Sequence, residues 1–325
     1  MSVHAILRDL RAAQRRNQRE AARQYKALLA EQTRWAKAAH HARGQYEVAM
    51  HDGYLDFITS LHRDATDPWD WRAVLHSSPP EASDAHEEHA MHEHYAYKPT
   101  LMEKLSGKEA ERRREIQVLI DQAKLRDAAI NRQRYEEWEW YRRLAHGVLS
   151  GNPEAYTSVL ENIAPFDELE QSNATVRCVS HSPTYMEAFV TVRDESAIPR
   201  VEKRLLANGS VSSKAMTDGK YWAYYQDYVC GAALRVAREL FHLLPLQTVC
   251  VHVGAPMLNS GTGHYEAVTI LSVEFPRDPF LEINFERADA SDATERFSPN
   301  MKFKKTTGFS PVERVMPMTS IEQVG

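Results

Sequence analysis

Cysteine is scarce in this chain. Cys178, Cys230 and Cys250 are the three in 325 residues, and none stands in a CxxC spacing. That excludes a disulfide framework and a structural zinc knuckle, and it points to reduced thiols. No apolar run approaches the ~20 residues needed to cross a bilayer. Residues 1–8 lack the uninterrupted apolar core of a secretory signal. A cytoplasmic protein with no membrane partner is therefore expected. Proline is absent before Pro68, and Gly44 and Gly53 are the glycines that precede it. Both residue types interrupt helices, so their absence permits a long one.

What fills the first stretch agrees. Arg, Gln, Ala, Glu and Leu dominate residues 5–45, and all are good helix formers. Apolar side chains recur at helical spacing, among them Leu7, Leu10, Tyr25, Leu28, Trp35, Tyr46 and Met50. The pattern predicts one helix over about 3–62, with a kink near Gly44. A second proline-free stretch predicts a helix over about 101–149, its stripe running through Ile116, Leu119, Ile120, Ile130, Leu144 and Val148. Between them, Pro68, Pro79, Pro80 and Pro99 break residues 65–100 into an irregular connector. In it Trp69 and Trp71 read as packing anchors. Two long amphipathic helices around a folded connector suggest an antiparallel, coiled-coil-like hairpin, whose stripes call for a partner.

Gly151, Asn152 and Pro153 mark a boundary. The expected organisation is a helical arm over 1–150 and an α+β domain over 151–325. Pro153 suits the first turn of a short helix over 153–163. The periodicity then switches to two. Residues 176–180 and 186–192 alternate around a turn at 181–184, as in a β-hairpin. A broad apolar face defines a helix over 221–244, stopped by Pro245. Two further strands, at 249–253 and 266–275, flank a loop. Strand–strand–helix–strand–strand predicts an antiparallel sheet packed on a central helix.

The charge pattern separates the two halves further. Residues 1–46 carry ten cations against three acids, whereas residues 52–93 carry ten acids against two arginines. Arg8, Arg11, Arg15, Arg16, Arg19 and Arg23 could neutralise phosphates of DNA or RNA. They fit equally a solvated helix flank, or a surface that pairs with the acidic segment.

Three other constellations carry chemistry. His86, His89 and Glu93 would share a helix face at a spacing that suits a divalent metal such as zinc, although HExxH is absent; the bland alternative is a polar surface segment. If residues 253 and 265 stand opposite each other, His252 faces Glu266 with His264 just above, an acid/base or metal pair beside a glycine-containing loop. Otherwise this is an ordinary hairpin tip. Asp227, Arg235, Arg238 and Glu239 place charges on the predicted central helix, either as a structural ion pair or as the floor of a charged pocket. No nucleophile elbow, dinucleotide fingerprint, phosphate loop or kinase motif occurs. The expectation is an oligomerisation or interaction protein, forming homo-oligomers or binding a partner through the arm. The alternative is a hydrolase or nuclease with His252, His264, Glu266 and Asp227 as its candidate residues.

Overall fold

The computed structural model describes residues 3–171 and 174–316, with side chains from residue 25 onward apart from Glu168 and Gln171. A helical N-terminal region precedes a mixed sheet packed against helices, an α+β architecture. The order is α1 (Val3–Thr59), α2 (Trp71–Leu75), α3 (Ala85–Ala96), α4 (Leu101–Ser106), α5 (Lys108–Leu149), α6 (Pro153–Ile163) and α7 (Asp167–Gln171). Then follow β1 (Thr175–Ser182), β2 (Tyr185–Thr191), β3 (Val201–Leu205), β4 (Val211–Ala215) and α8 (Asp218–Leu243). The chain continues with β5 (Thr248–Leu258), β6 (Tyr265–Pro276), α9 (Arg277–Leu281), α10 (Ala290–Glu295), β7 (Asn300–Lys304) and β8 (Gly308–Ser310).

α8 is the pivot. The Thr217 hydroxyl caps its start by accepting from the Lys220 amide, and Pro245 cannot extend it. Its residues 228–237 are buried without a break. A helix buried on every side must be covered on every side. β5, β2 and β6 lie along it, as do α1 and α10. Arg277 closes its C-terminus. The guanidinium donates to the carbonyls of Phe241, Leu244 and Leu246 at 3.0–3.2 Å. Phe241 lies in the last turn, whose carbonyls have no partner within the helix, and Leu244 and Leu246 lie just past its end.

The six-stranded sheet has the order β1-β2-β5-β6-β7-β8, and β3 and β4 form a separate two-stranded ribbon. β2 and β5 run parallel, while the other neighbours are antiparallel. An all-antiparallel sheet is thus corrected to a mixed one. The crossover through β3, β4 and α8 returns β5 beside β2 in the same direction, as parallel pairing requires.

The expected pairing of the two long helices also needs correction. Among the described residues, α1 packs on α8, β3 and β4, whereas α5 packs on α2, α3, α4 and α6. The burial pattern explains why. Of the predicted α1 stripe, Tyr25, Leu28, Trp35, Tyr46 and Met50 are exposed, and burial is confined to the C-terminal part around Gly44, Leu55 and Ile58. Gly44 lets α1 touch the β3–β4 turn: a Cβ there would lie 2.3 Å from the Gly209 carbonyl oxygen. The predicted second helix is divided at Gly107, whose φ of 74° caps α4. The connector behaves as an anchor. The Trp71 indole donates to the Leu243 carbonyl at 2.6 Å, and its ring centroid lies 4.9 Å from that of Trp69.

Candidate functional site

Alternation along the strands sends Val249, Val251 and Val253 into the core. Cys250 and His252 therefore point to the opposite face of the sheet. The parallel register sets Glu187 beside Cys250 and Phe189 beside His252. On the other flank, the β5–β6 register sets Ser272 beside His252 and Glu274 beside Cys250. Three strands thus place Glu187, His252 and Ser272 on one face of the sheet, with Ser272 directly opposite His252 and Glu187 diagonal to it.

The set is hydrogen-bonded end to end. Ser272 Oγ lies 2.7 Å from His252 Nδ1, and His252 Nε2 lies 2.7 Å from Glu187 Oε1. The second carboxylate oxygen, Glu187 Oε2, lies 2.8 Å from His181 Nε2. The Val315 amide donates to Ser272 Oγ at 2.8 Å. One tautomer satisfies every bond: His252 donates from Nε2 to the carboxylate, and Nδ1 accepts the serine proton. The order is hydroxyl, imidazole, carboxylate, the order of groups that base-assisted nucleophilic chemistry uses.

Burial and hydrogen bonding set the charge state of each group. Burial lowers the His252 imidazole below its ordinary value, outweighing the upward pull of Glu187, so the neutral base is favoured. For Glu187, burial acts upward, but the hydrogen bonds and charges of His181 and His252 win and hold the carboxyl below its usual range. Cys250 Sγ is 3.7 Å from His252 Nε2, yet burial pushes its thiol up to about 12. It stays a thiol and is no nucleophile in this state. Burial likewise pushes the Tyr185 phenol up, and Tyr185 donates to Glu274 Oε2 at 3.3 Å.

The set is closed at one end and open at the other. The His252 side chain is 2 % exposed and Glu187 13 %, while His181 at the outer edge is 35 % exposed. Residues 311–316 run over the closed end. The Val312 amide donates to the Thr269 carbonyl at 2.9 Å, and the Arg314 guanidinium lies 4.9 Å from the centre of the Phe189 ring.

The sequence-derived candidates are dispersed. Glu266 stands opposite Met257, and His252 opposite Ser272. The expected His252–Glu266 pair is corrected, because β5 and β6 extend to residues 258 and 265 and shift register at Val253/Gly254. Met257 lies five residue steps from His252, ~17 Å along the strand. Glu266 instead accepts from Asn259 and Thr262 at the hairpin tip, and His264 is exposed beside it. Asp227 lies on α8, behind the sheet. Burial, with Asp289 and Asp292 nearby, raises its carboxyl to about 6. Arg235 and Glu239 form a buried pair at 2.8 Å, and Glu239 also accepts from the Thr66 amide. The helix carries Arg8, Arg11, Arg15, Arg16, Arg19 and Arg23, but their side chains lie outside the described residues.

His86, His89 and Glu93 do share α3 and line one open cavity of about 600 Å³ with Leu119, Gln122 and Arg126. His86 Nδ1 lies 2.6 Å from the buried Asp127, which also accepts from the Glu87 amide. His89 and Glu93 stand 3.8 Å apart. Among the described residues, no three such side chains are gathered closely enough to hold a metal ion.

Glu187 and Ser272 escaped the sequence reading. The signal was present in the alternation, since Glu187 and Phe189 oppose the core positions Met186, Ala188 and Val190. Only the parallel pairing joins that face to His252. Comparison with known proteins finds no matching family model, no matching curated protein and no matching solved structure.

Proposed function

We propose that the C-terminal half is a hydrolase that works by acid/base-assisted nucleophilic attack. Ser272 is the nucleophile, His252 the general base and Glu187 the group that orients the imidazole and stabilises its charged form. The observation that carries this reading is the continuous Ser272–His252–Glu187 relay, with both heavy-atom distances at 2.7 Å. An ester, thioester or amide carbon fits this chemistry: Oγ adds to the carbonyl as His252 Nδ1 takes the proton, and the leaving group departs with that proton. Water then releases the acyl group.

The test is labelling of Ser272 by a fluorophosphonate, read by peptide mass spectrometry. The full chain and a Val315→Pro variant, which lacks the amide donor to Ser272, are compared. Adduct at Ser272 that disappears in His252→Ala supports the reading. No adduct at Ser272 in either protein overturns it.

A second reading has its own observation. Residues 25–40 are exposed on every side of α1, with Tyr25 64 % and Trp35 71 % exposed. A helix with aromatic side chains in water suits docking. On this reading, residues 1–150 form an interaction arm beside a 151–325 domain. The arm makes coiled-coil contacts with a second copy or a partner protein, and its six arginines meet DNA or RNA. No helix among the described residues is long and apolar enough to cross a membrane, and a cytoplasmic setting belongs to the same proposal. Light scattering showing a monomer at all concentrations, with no nucleic-acid binding at low salt, removes it. A divalent metal at His86, His89 and Glu93 is decided by zinc titration of the parent against a His86/His89 double variant.

A further inference from the structure

Residues 311–316 are held as a bound peptide would be. The Val312 amide adds to the edge of β6 at the Thr269 carbonyl, beyond the two residues of β6 that pair with β7. The Glu313 carbonyl accepts from the Asn300 side-chain amide at 2.7 Å, and the Val315 amide donates to Ser272 Oγ at 2.8 Å. Three residues of the segment advance in step with three residues of β6, from Thr269 to Ser272, which is the pace of an extended chain. Three of these contacts read main-chain groups and so do not select a sequence. One selects a side chain. The Arg314 guanidinium lies over the Phe189 ring, and its Nε is 3.4 Å from Thr269 Oγ1.

We propose that the sheet face bearing Ser272, His252 and Phe189 is a binding groove for an extended polypeptide with a basic side chain, and that residues 311–316 are its resident occupant. Strand addition at an open edge, in which main-chain hydrogen bonds supply the affinity, is an established way to bind peptides. The occupant explains how a complete relay comes to lie under cover. Its amide holds the hydroxyl that would otherwise face the incoming ligand. A competing peptide displaces the segment and takes over the same main-chain contacts. The inference names the ligand class of the hydrolytic site proposed above. Its test reads binding rather than turnover, so either can fail while the other stands.

The test uses the full chain and follows deuterium exchange at the imidazole C2 of His252 by mass spectrometry. Val315→Pro removes the amide donor, and a proline there keeps residue 314 extended. Val315→Ala shortens the side chain and keeps the amide. Exchange at His252 is expected to quicken about tenfold in Val315→Pro, the size of losing one hydrogen bond to the segment, and to stay near the parent rate in Val315→Ala. A synthetic peptide of residues 310–316 added to Val315→Pro should restore protection. The same peptide with alanine in place of its arginine should bind about threefold more weakly. Equal exchange in all three proteins overturns the proposal, as does quickening in Val315→Ala to the rate of Val315→Pro. Fast exchange that the peptide does not slow overturns it too.

Discussion

His252 Nε2 and Glu187 Oε1 meet at 2.7 Å across a parallel strand pair, and the same carboxylate holds His181 with its other oxygen. Glu187 pulls the His252 imidazole upward against the larger downward effect of burial. Glu187→Gln keeps an acceptor but removes the charge. The His252 midpoint should therefore fall further below its present position. An NMR titration of the ring resonances checks this, and an upward or absent shift refutes it. His181→Ala should lift the Glu187 midpoint in the same experiment, because a hydrogen bond that favours the carboxylate is gone.

Asp227 makes the fold pH-dependent in a specified direction. Its folded pKa of about 6 lies above the ordinary 3.8. The folded state binds this proton more tightly than the unfolded chain. The stability linked to that proton is fully present below about pH 4 and is lost as pH rises through about 6. Asp227→Asn should thus raise stability at pH 7 by roughly 1–2 kcal/mol, less than the full shift because the group is partly hydrated. The gain should vanish near pH 4. Urea unfolding at the two pH values measures it.

Arg277 satisfies three carbonyls at the end of α8. Arg277→Met keeps much of the stem and leaves those acceptors without the guanidinium. A loss of about 2–3 kcal/mol is expected, the range for hydrogen bonds to a charged group. A fall in Tm with α8 still formed, read by circular dichroism after refolding, is the supporting result.

The α1–ribbon contact is set by two glycines. A Cβ on Gly44 would lie 2.3 Å from the Gly209 oxygen, and one on Gly209 would lie 2.8 Å from the His41 Cα. Neither obstacle is a flexible side-chain tip. Gly44→Ala should cost about 1–3 kcal/mol through overpacking and speed amide exchange in β3 and β4. The nearby Gly53 has open space around it, so Gly53→Ala should stabilise α1 by ~0.5–1 kcal/mol.

The parts legible in the sequence are those whose stability is local. α6 and α8 carry their own start and stop chemistry in Asn152, Pro153, Thr217 and Pro245. The β1–β2 hairpin shows clean alternation about a tight turn. The α+β class follows from these pieces. The β3–β4 ribbon was missed because its residues, such as Glu202, Lys203, Ser212 and Lys214, are polar and half-exposed, with little hydrophobic period to read. The relay was hidden for a different reason. Glu187 and His252 are neighbours only because β2 and β5 run parallel, and strand direction is a tertiary fact. Likewise, His252 and Glu266 look paired only if the hairpin is short, and the register shift at Val253/Gly254 makes it long.

The parallel β2–β5 pair has one more consequence, in the order of biosynthesis. β2 leaves the ribosome before the whole β3–β4 ribbon and α8, and β5 follows them. Until β5 arrives, the β1–β2 hairpin has an open edge, the kind of surface that invites intermolecular strand addition. Nascent chains whose emerged part ends between residues 192 and 247 should therefore be the aggregation-prone ones, and the ones that most need a chaperone.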